Sequence, residues 1–147
     1  PYLEAMTDYQ IPDDALTPET FETRFAGTLP AHLGLELIET RRERFVGEIE
    51  VQAHHMAPNG FLHAGTIVTL ADSCAGMATQ ANLRVGHGFT TVELKSNFFS
   101  TVTEGRIRAT CTPIHIGRTT QVWDADVTAV ETSKRLALFR CTQLVLT

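Results

Sequence analysis

The chain has 147 residues, 43% hydrophobic and 20% charged, with 12 basic side chains against 17 acidic ones and a formal charge of −5. That length suits one domain burying about two thirds of its unfolded surface, and the acidic balance supplies no general attraction to nucleic acid or anionic lipid. No apolar run nears the ~18 residues that cross a bilayer, and Glu4, Asp8, Asp13, Asp14 and Glu19 leave no secretory signal near the start, so a soluble cytoplasmic protein is expected.

Residues 1–32 read as an acidic N-terminal segment with a short helix, ahead of a main domain over residues 33–147. Within the segment, residues 1–16 are irregular and expected on the surface. Thr17-Pro18 reads as an N-cap followed by proline at the first helical position. Phe21, Phe25 and Leu29 share one apolar edge of that helix, and Pro30 is expected to end it. Strands follow over residues 33–39 and 45–51, joined by the charged turn Thr40-Arg41-Arg42-Glu43. In the second, Phe45, Gly47, Ile49 and Val51 alternate with Val46, Glu48 and Glu50.

Next comes the turn-rich stretch Pro58-Asn59-Gly60-Phe61-Leu62-His63-Ala64-Gly65, which feeds a proline-free run from Thr66 to Ala81 and predicts a loop opening a long helix. Four alternating runs close the chain, over residues 90–100, 106–114, 119–130 and 134–146, with turn signals at Glu104-Gly105, Gly117 and Glu131-Thr132-Ser133. Val92, Leu94 and Phe98 mark the apolar face of the first run. Ile107, Ala109 and Cys111 mark that of the second, and Trp123, Ala125, Val127 and Ala129 that of the third. Leu136, Leu138, Leu144 and Leu146 mark it in the last. One long helix beside about six largely antiparallel strands predicts an α+β domain in which a curved sheet wraps the helix.

The helix has two unlike faces. At about 100° per residue, Ile67, Leu70, Ala71, Cys74, Met77, Ala78 and Ala81 form a core stripe. The other face holds Gly65, Thr69, Asp72, Ser73, Gly76, Thr79 and Gln80. A solvated face ordinarily carries several paired charges, whereas Asp72 is the single charge between Ala64 and Ala81. Gly76 and Thr79 are expected to leave room for a ligand. The three cysteines, Cys74, Cys111 and Cys141, stand apart in apolar runs and read as small core fillers, with no disulfide framework or CxxC motif. His54-His55 reads as a surface pair lacking a third metal ligand.

Backbone N–H groups in a helix's first turn have no partners within the helix and carry the positive end of its dipole. An N–H at Ala64 or Gly65 would therefore suit an oxyanion hole, and Asp72 would suit a nucleophile or general base. Eight residues separate Ala64 from Asp72, about 12 Å along a helix, while both groups must come within ~3 Å of one reacting centre. If both serve one acyl carbon, the loop of one chain must face Asp72 of another, which requires at least a homodimer with two sites across its two-fold axis.

Leu62-His63-Ala64-Gly65 followed by Leu70-Ala71-Asp72 resembles the His-Gly-Gly…Leu-Ala-Asp/Glu signature of hotdog-fold acyl-CoA thioesterases, the group that includes the phenylacetate-pathway, 4-hydroxybenzoyl-CoA and enterobactin-pathway proofreading enzymes. The resemblance continues through the segment from Pro113 to Trp123 and covers roughly residues 33–147. It implies a hotdog fold, Asp72 as nucleophile or general base, the Ala64 N–H as oxyanion donor with Gly65 beside it, and His63 holding the loop. Thr91 would stand near the catalytic water, and Gly117, Arg118 and Thr119 would lie by the pantetheine or nucleotide part of CoA. It further implies a homodimer or homotetramer with sites between subunits, and no cofactor beyond the CoA of the substrate. The chain departs from the family at three positions. Ala64 replaces a glycine, Ala57 stands where relatives carry Gln or Asn so that Asn59 inherits the carbonyl-orienting role, and Ser100 replaces an arginine. Two other readings compete. A hotdog hydratase would need an Asp and His pair that the spacing around Asp72 does not offer, and a non-catalytic acyl-CoA binding or sensor protein gives no reason for the lone carboxylate.

Overall fold

A computed structural model describes residues 8–147. Thr17 caps helix α1 (Pro18–Glu22) by accepting from the Thr20 N–H at 3.4 Å, and a 3-10 turn over Thr23–Phe25 continues it. Phe21 and Phe25 are buried, Phe21 meeting Phe45 edge-on with ring centroids 5.0 Å apart. Leu29, expected on the same edge, is 56% exposed. Pro30 does not end α1; it sits in the first turn of a second short helix, α2 (Leu29–His32), where its missing N–H costs nothing. Gly34, at φ 78°, then turns the chain away in the left-handed region, which delays the first strand to Glu36.

Of the segment expected on the surface, residues 1–7 lie outside the described residues and the remainder is fastened to the body. Ile11 is buried and Tyr9 forms a bridge with Arg84. The fastener is Arg42, which sequence places in an exposed turn. Its guanidinium stacks 3.7 Å from the Tyr9 ring centroid, donates to Ile11 O at 2.8 Å and Asp13 Oδ1 at 2.7 Å, and donates to the carbonyl of Ala81 at the C-terminus of the long helix. A cation there complements the negative end of the helix dipole.

The sheet is fully antiparallel, with β1 (Glu36–Arg41), β2 (Arg44–Glu50), β3 (Gly88–Phe98), β4 (Arg106–Ile116), β5 (Thr120–Ala129) and β6 (Arg135–Leu146) in the order β1-β2-β4-β5-β6-β3. Helix α3 (Ala64–Ala81) touches all six strands, so the six-stranded sheet curves around one central helix as expected. Small residues permit the close approach: a Cβ added at Gly47 of β2 would stand 2.5 Å from the Cys74 sulfur.

Three strands depart from a simple pattern of buried inner and exposed outer faces. In β6 the register Trp123↔Cys141 and Ala125↔Phe139 turns Ala137, Phe139, Cys141 and Gln143 inward, so Leu138, Leu144 and Leu146 are exposed on the outer face and Leu136 alone of the four predicted leucines is buried. In β2 both faces are covered, because Glu48 on the outer face is held between Arg106 at 2.8 Å and Arg108 at 2.6 Å. Strand β3 is a sheet edge, and α3 covers it only in part. Its inner-face Val92, Leu94 and Phe98 are exposed. Among the described residues, no helix is long and apolar enough to cross a membrane.

Candidate active site

Residues 56–63 form a tight loop ahead of α3. The Ala57 N–H donates to Phe61 O at 2.7 Å, the Gly60 N–H to Ala57 O at 3.0 Å, and Gly60 adopts φ 86°, which glycine tolerates without strain. Asn59 spends its side-chain oxygen inside this turn, accepting from the Phe61 N–H at 3.1 Å. His63 is the N-cap of α3, its Nδ1 accepting from the Gly65 N–H at 2.7 Å. With Nδ1 an acceptor, the proton of the neutral ring is on Nε2. An added Cβ at position 65 would stand 2.9 Å from that Nδ1, so a larger residue would push the His63 ring off the cap. The Thr66 N–H is taken by His63 O at 3.0 Å. The Ala64 N–H, between them, has no acceptor among the described residues and lies at an exposed position.

Asp72 lies two turns further along, half-buried. Its Oδ1 is shut off from solvent and has no hydrogen-bond partner among the described residues, and burial pushes its carboxyl above the usual carboxylate range. The three cysteines, distant in sequence, converge beside it. The Cys111 thiol reaches Ala71 O at 3.8 Å. A hydrogen bond with Cys74, then burial, pushes Cys111 well up, while burial and then the charge of Asp72 push Cys141 up to about 12. The Cys111 and Cys141 thiols therefore stay protonated at neutral pH.

Gly76 and Thr79 do not leave the room expected of them. The Phe89 ring of β3 covers Gly76, where an added Cβ would sit 3.6 Å from Cζ, and Thr79 is buried with its hydroxyl donating to Ala75 O at 2.7 Å. Aromatic residues at strand starts are common packing signals, but only the fold sets Phe89 opposite the helix. Thr91, on the inner face of β3, donates from its hydroxyl to Gln143 Oε1 at 2.7 Å. Gln143 is paired with Gln121 across β5 and β6, and Gln121 Oε1 accepts from Trp123 Nε1 at 2.9 Å. Both glutamines are buried, a polar ladder that the sequence reading missed although positions 121 and 123, and 141 and 143, share one side of their strands.

Gly117, Arg118 and Thr119 form the turn between β4 and β5, pinned by Gly117 N–H to Thr120 O and Val145 N–H to Thr119 O, each at 2.9 Å. With Tyr9, Arg84 and His87 they line a cavity of about 590 Å³ that reaches Asn82 and Leu83 just past the C-terminus of α3. The candidate residues thus fall at three stations along one helix of 18 residues, roughly 27 Å long: Asn59, His63, Ala64 and Gly65 at its start, Asp72 in the middle, and residues 117–119 beyond its end. Thr91 stands on the edge strand β3, bonded to Gln143, whose Nε2 reaches Cys141 Sγ at 3.5 Å.

The thioesterase superfamily profile matches residues 59–135. The 1,4-dihydroxy-2-naphthoyl-CoA hydrolase of Listeria monocytogenes is 32% identical over 110 residues, spanning 75% of this chain and 89% of that protein. The proofreading thioesterase EntH of Cronobacter turicensis is 29% identical over 109 residues, 74% of this chain and 80% of its own. In structure, a thioesterase from Haemophilus influenzae aligns with a TM-score of 0.84 at 28% identity, covering 89% of this chain and 91% of that one. With the family profile, the relatives and the fold in agreement, the chain belongs to the thioesterase superfamily and is a thioester hydrolase of the hotdog fold.

Proposed function

We propose that the protein hydrolyses small aromatic or medium-chain acyl-CoA thioesters to the free acid and CoA, at sites formed between two copies of the chain. Asp72 attacks the thioester carbonyl or deprotonates the attacking water. The carbonyl oxygen gains charge facing the Ala64 N–H, the C–S bond breaks, and the CoA thiolate takes up a proton; where Asp72 itself attacks, water then hydrolyses the acyl–Asp72 anhydride, releasing the free acid and restoring the carboxylate. His63 and Gly65 hold the amide in place, Asn59 orients the loop, and Thr91 binds near the water. Gly117, Arg118 and Thr119 receive part of CoA, a role that the basic side chains of their shared cavity support. The reaction as drawn uses no metal or redox cofactor.

The observation that carries this reading is the unpartnered, buried Oδ1 of Asp72. An acceptor left this way costs about 1–3 kcal/mol, which a purely structural residue has no reason to bear. The distance between stations supports a shared site, since Ala64 and Asp72 of one chain lie about 12 Å apart along the helix. The exposed edge strand β3, with Leu94 41% exposed on its inner face, supports pairing with a second copy. The naphthoyl-CoA relative supports an aromatic acyl group.

Thiol release from a panel of aromatic and aliphatic acyl-CoAs by the wild type and by Asp72→Asn tests the proposal. Turnover by the wild type and its collapse in the variant is expected. Equal turnover by the two proteins would remove Asp72 from the chemistry, and saturable acyl-CoA binding without thiol release would favour the binding-protein reading.

A further inference from the structure

His55, read from sequence as a surface residue, is 1% exposed, and both faces of its peptide and ring are spoken for. Its Nδ1 accepts from the Gln52 N–H at 2.9 Å, just past β2. A neutral ring with Nδ1 as acceptor bears its proton on Nε2, and Nε2 lies 2.9 Å from Leu33 O at the exit of α2. The ring therefore bolts two separate parts of the chain together with one defined tautomer. The carbonyl of the same residue accepts twice: from the His63 N–H at 3.0 Å and from the buried Thr66 hydroxyl at 2.9 Å. Residues 63 and 66 bracket Ala64, an exposed position whose N–H has no acceptor among the described residues.

We infer that His55 is a positioning residue for hydrolysis, its buried imidazole fixing the carbonyl that holds both sides of the Ala64 amide. The inference rests on the reading of the Ala64 N–H as the oxyanion donor. Backbone donors of this kind contribute only when aimed at the developing charge, and an error near 1 Å in placement can cost about a hundredfold in rate. Helix α3 is anchored along its length by the core, but its first turn is exposed at residues 63–65. The two bonds to His55 O tie that turn to the rigid body, beside the Met56–Leu62 bridge and the buried Leu62 and Ile67. The neighbouring His54 ring, 4.2 Å away centroid to centroid, faces outward and makes neither contact.

The test compares His55→Ala, His55→Asn and Thr66→Val with the wild type by steady-state hydrolysis of the best acyl-CoA from the panel, thermal unfolding, and amide hydrogen exchange over residues 63–66. Asparagine retains an acceptor near the place of Nδ1 and so retains the Gln52 bond. We expect kcat of folded His55→Ala to fall about tenfold to a hundredfold with KM within about twofold, because the amide acts on the transition state. His55→Asn should recover part of the loss, Thr66→Val should lose kcat in the same sense, and exchange at residues 63–66 should quicken with that of the β4 and β5 core unchanged. A variant with lower melting temperature but kcat within about twofold of wild type would show a merely structural role and overturn the inference. If the wild type hydrolyses no acyl-CoA, the functional reading fails, while unchanged exchange at residues 63–66 in His55→Ala overturns the positioning claim independently of activity.

Discussion

Replacing Asp72 by Asn should separate what this residue does for catalysis from what it costs the fold. The carboxylate sits mid-helix with Oδ1 closed from solvent and unpartnered, and burial raises its pKa. A raised acid pKa means that the folded state prefers the neutral carboxyl. Below the ordinary aspartate value of about 3.9 both folded and unfolded chains are protonated and no penalty exists. As pH rises through the higher folded value, the ionised group is held where it is poorly solvated, and stability falls. Asparagine is never ionised, so at pH 7 the variant should be the more stable protein. A buried acceptor without a partner costs about 1–3 kcal/mol, and because Asp72 is half-buried and asparagine keeps a carbonyl, the gain is placed at the low end, about 1 kcal/mol. For a domain of this size that raises the melting temperature by about 2–4 °C. Thermal unfolding of both proteins at fixed concentration from pH 7 down to pH 4 should show the two curves converging as pH falls. A variant equally stable or less stable at pH 7, or a difference that grows on acidification, would refute the assignment of Asp72 as a strained, ionised group.

Three further outcomes follow from particular contacts. Gly65→Ala places a methyl 2.9 Å from His63 Nδ1. The lost cap, about 0.5–2 kcal/mol, is offset by up to about 1 kcal/mol of helix propensity, so melting temperature should move little while kcat drops about tenfold or more; a fully active variant would contradict the role given to the loop. Gly47→Ala drives a methyl to 2.5 Å from the Cys74 sulfur inside the core and should cost about 1–3 kcal/mol in denaturant unfolding. An unchanged midpoint would mean that β2 and α3 have slack. Arg118→Ala should raise KM for acyl-CoA with kcat intact, an effect that shrinks as salt is added; a loss of kcat instead would move Arg118 from substrate holding to the reaction.

Periodicity alone was sufficient for the order of the long helix and the six strands, because helix and strand repeats are local properties of neighbouring residues. Thr17, Thr66 to Ala81 and the run from Trp123 to Ala129 behave as their patterns require. Local chemistry likewise marked the loop from Asn59 to Gly65 and the isolated charge of Asp72. What sequence pattern lacked was which side of a strand meets the helix once the strand has been placed in the sheet. Three of the four leucines of β6, Leu138, Leu144 and Leu146, form a perfectly good apolar row yet face outward, since the pairing of β6 with β5 is a long-range choice. The same limit hid the meeting of Cys74, Cys111 and Cys141 beside Asp72, the covering of Gly76 by Phe89, and Arg42 closing the end of α3. His55 shows the division most plainly: adjacent histidines look alike on a polar loop, and only the return of the chain past Leu33 and Gln52 makes one of them a buried bolt. Local order follows from side chains a few residues apart, whereas burial is fixed by partners tens of residues away, and it is burial that turns an acid, an amide or an imidazole into part of a site.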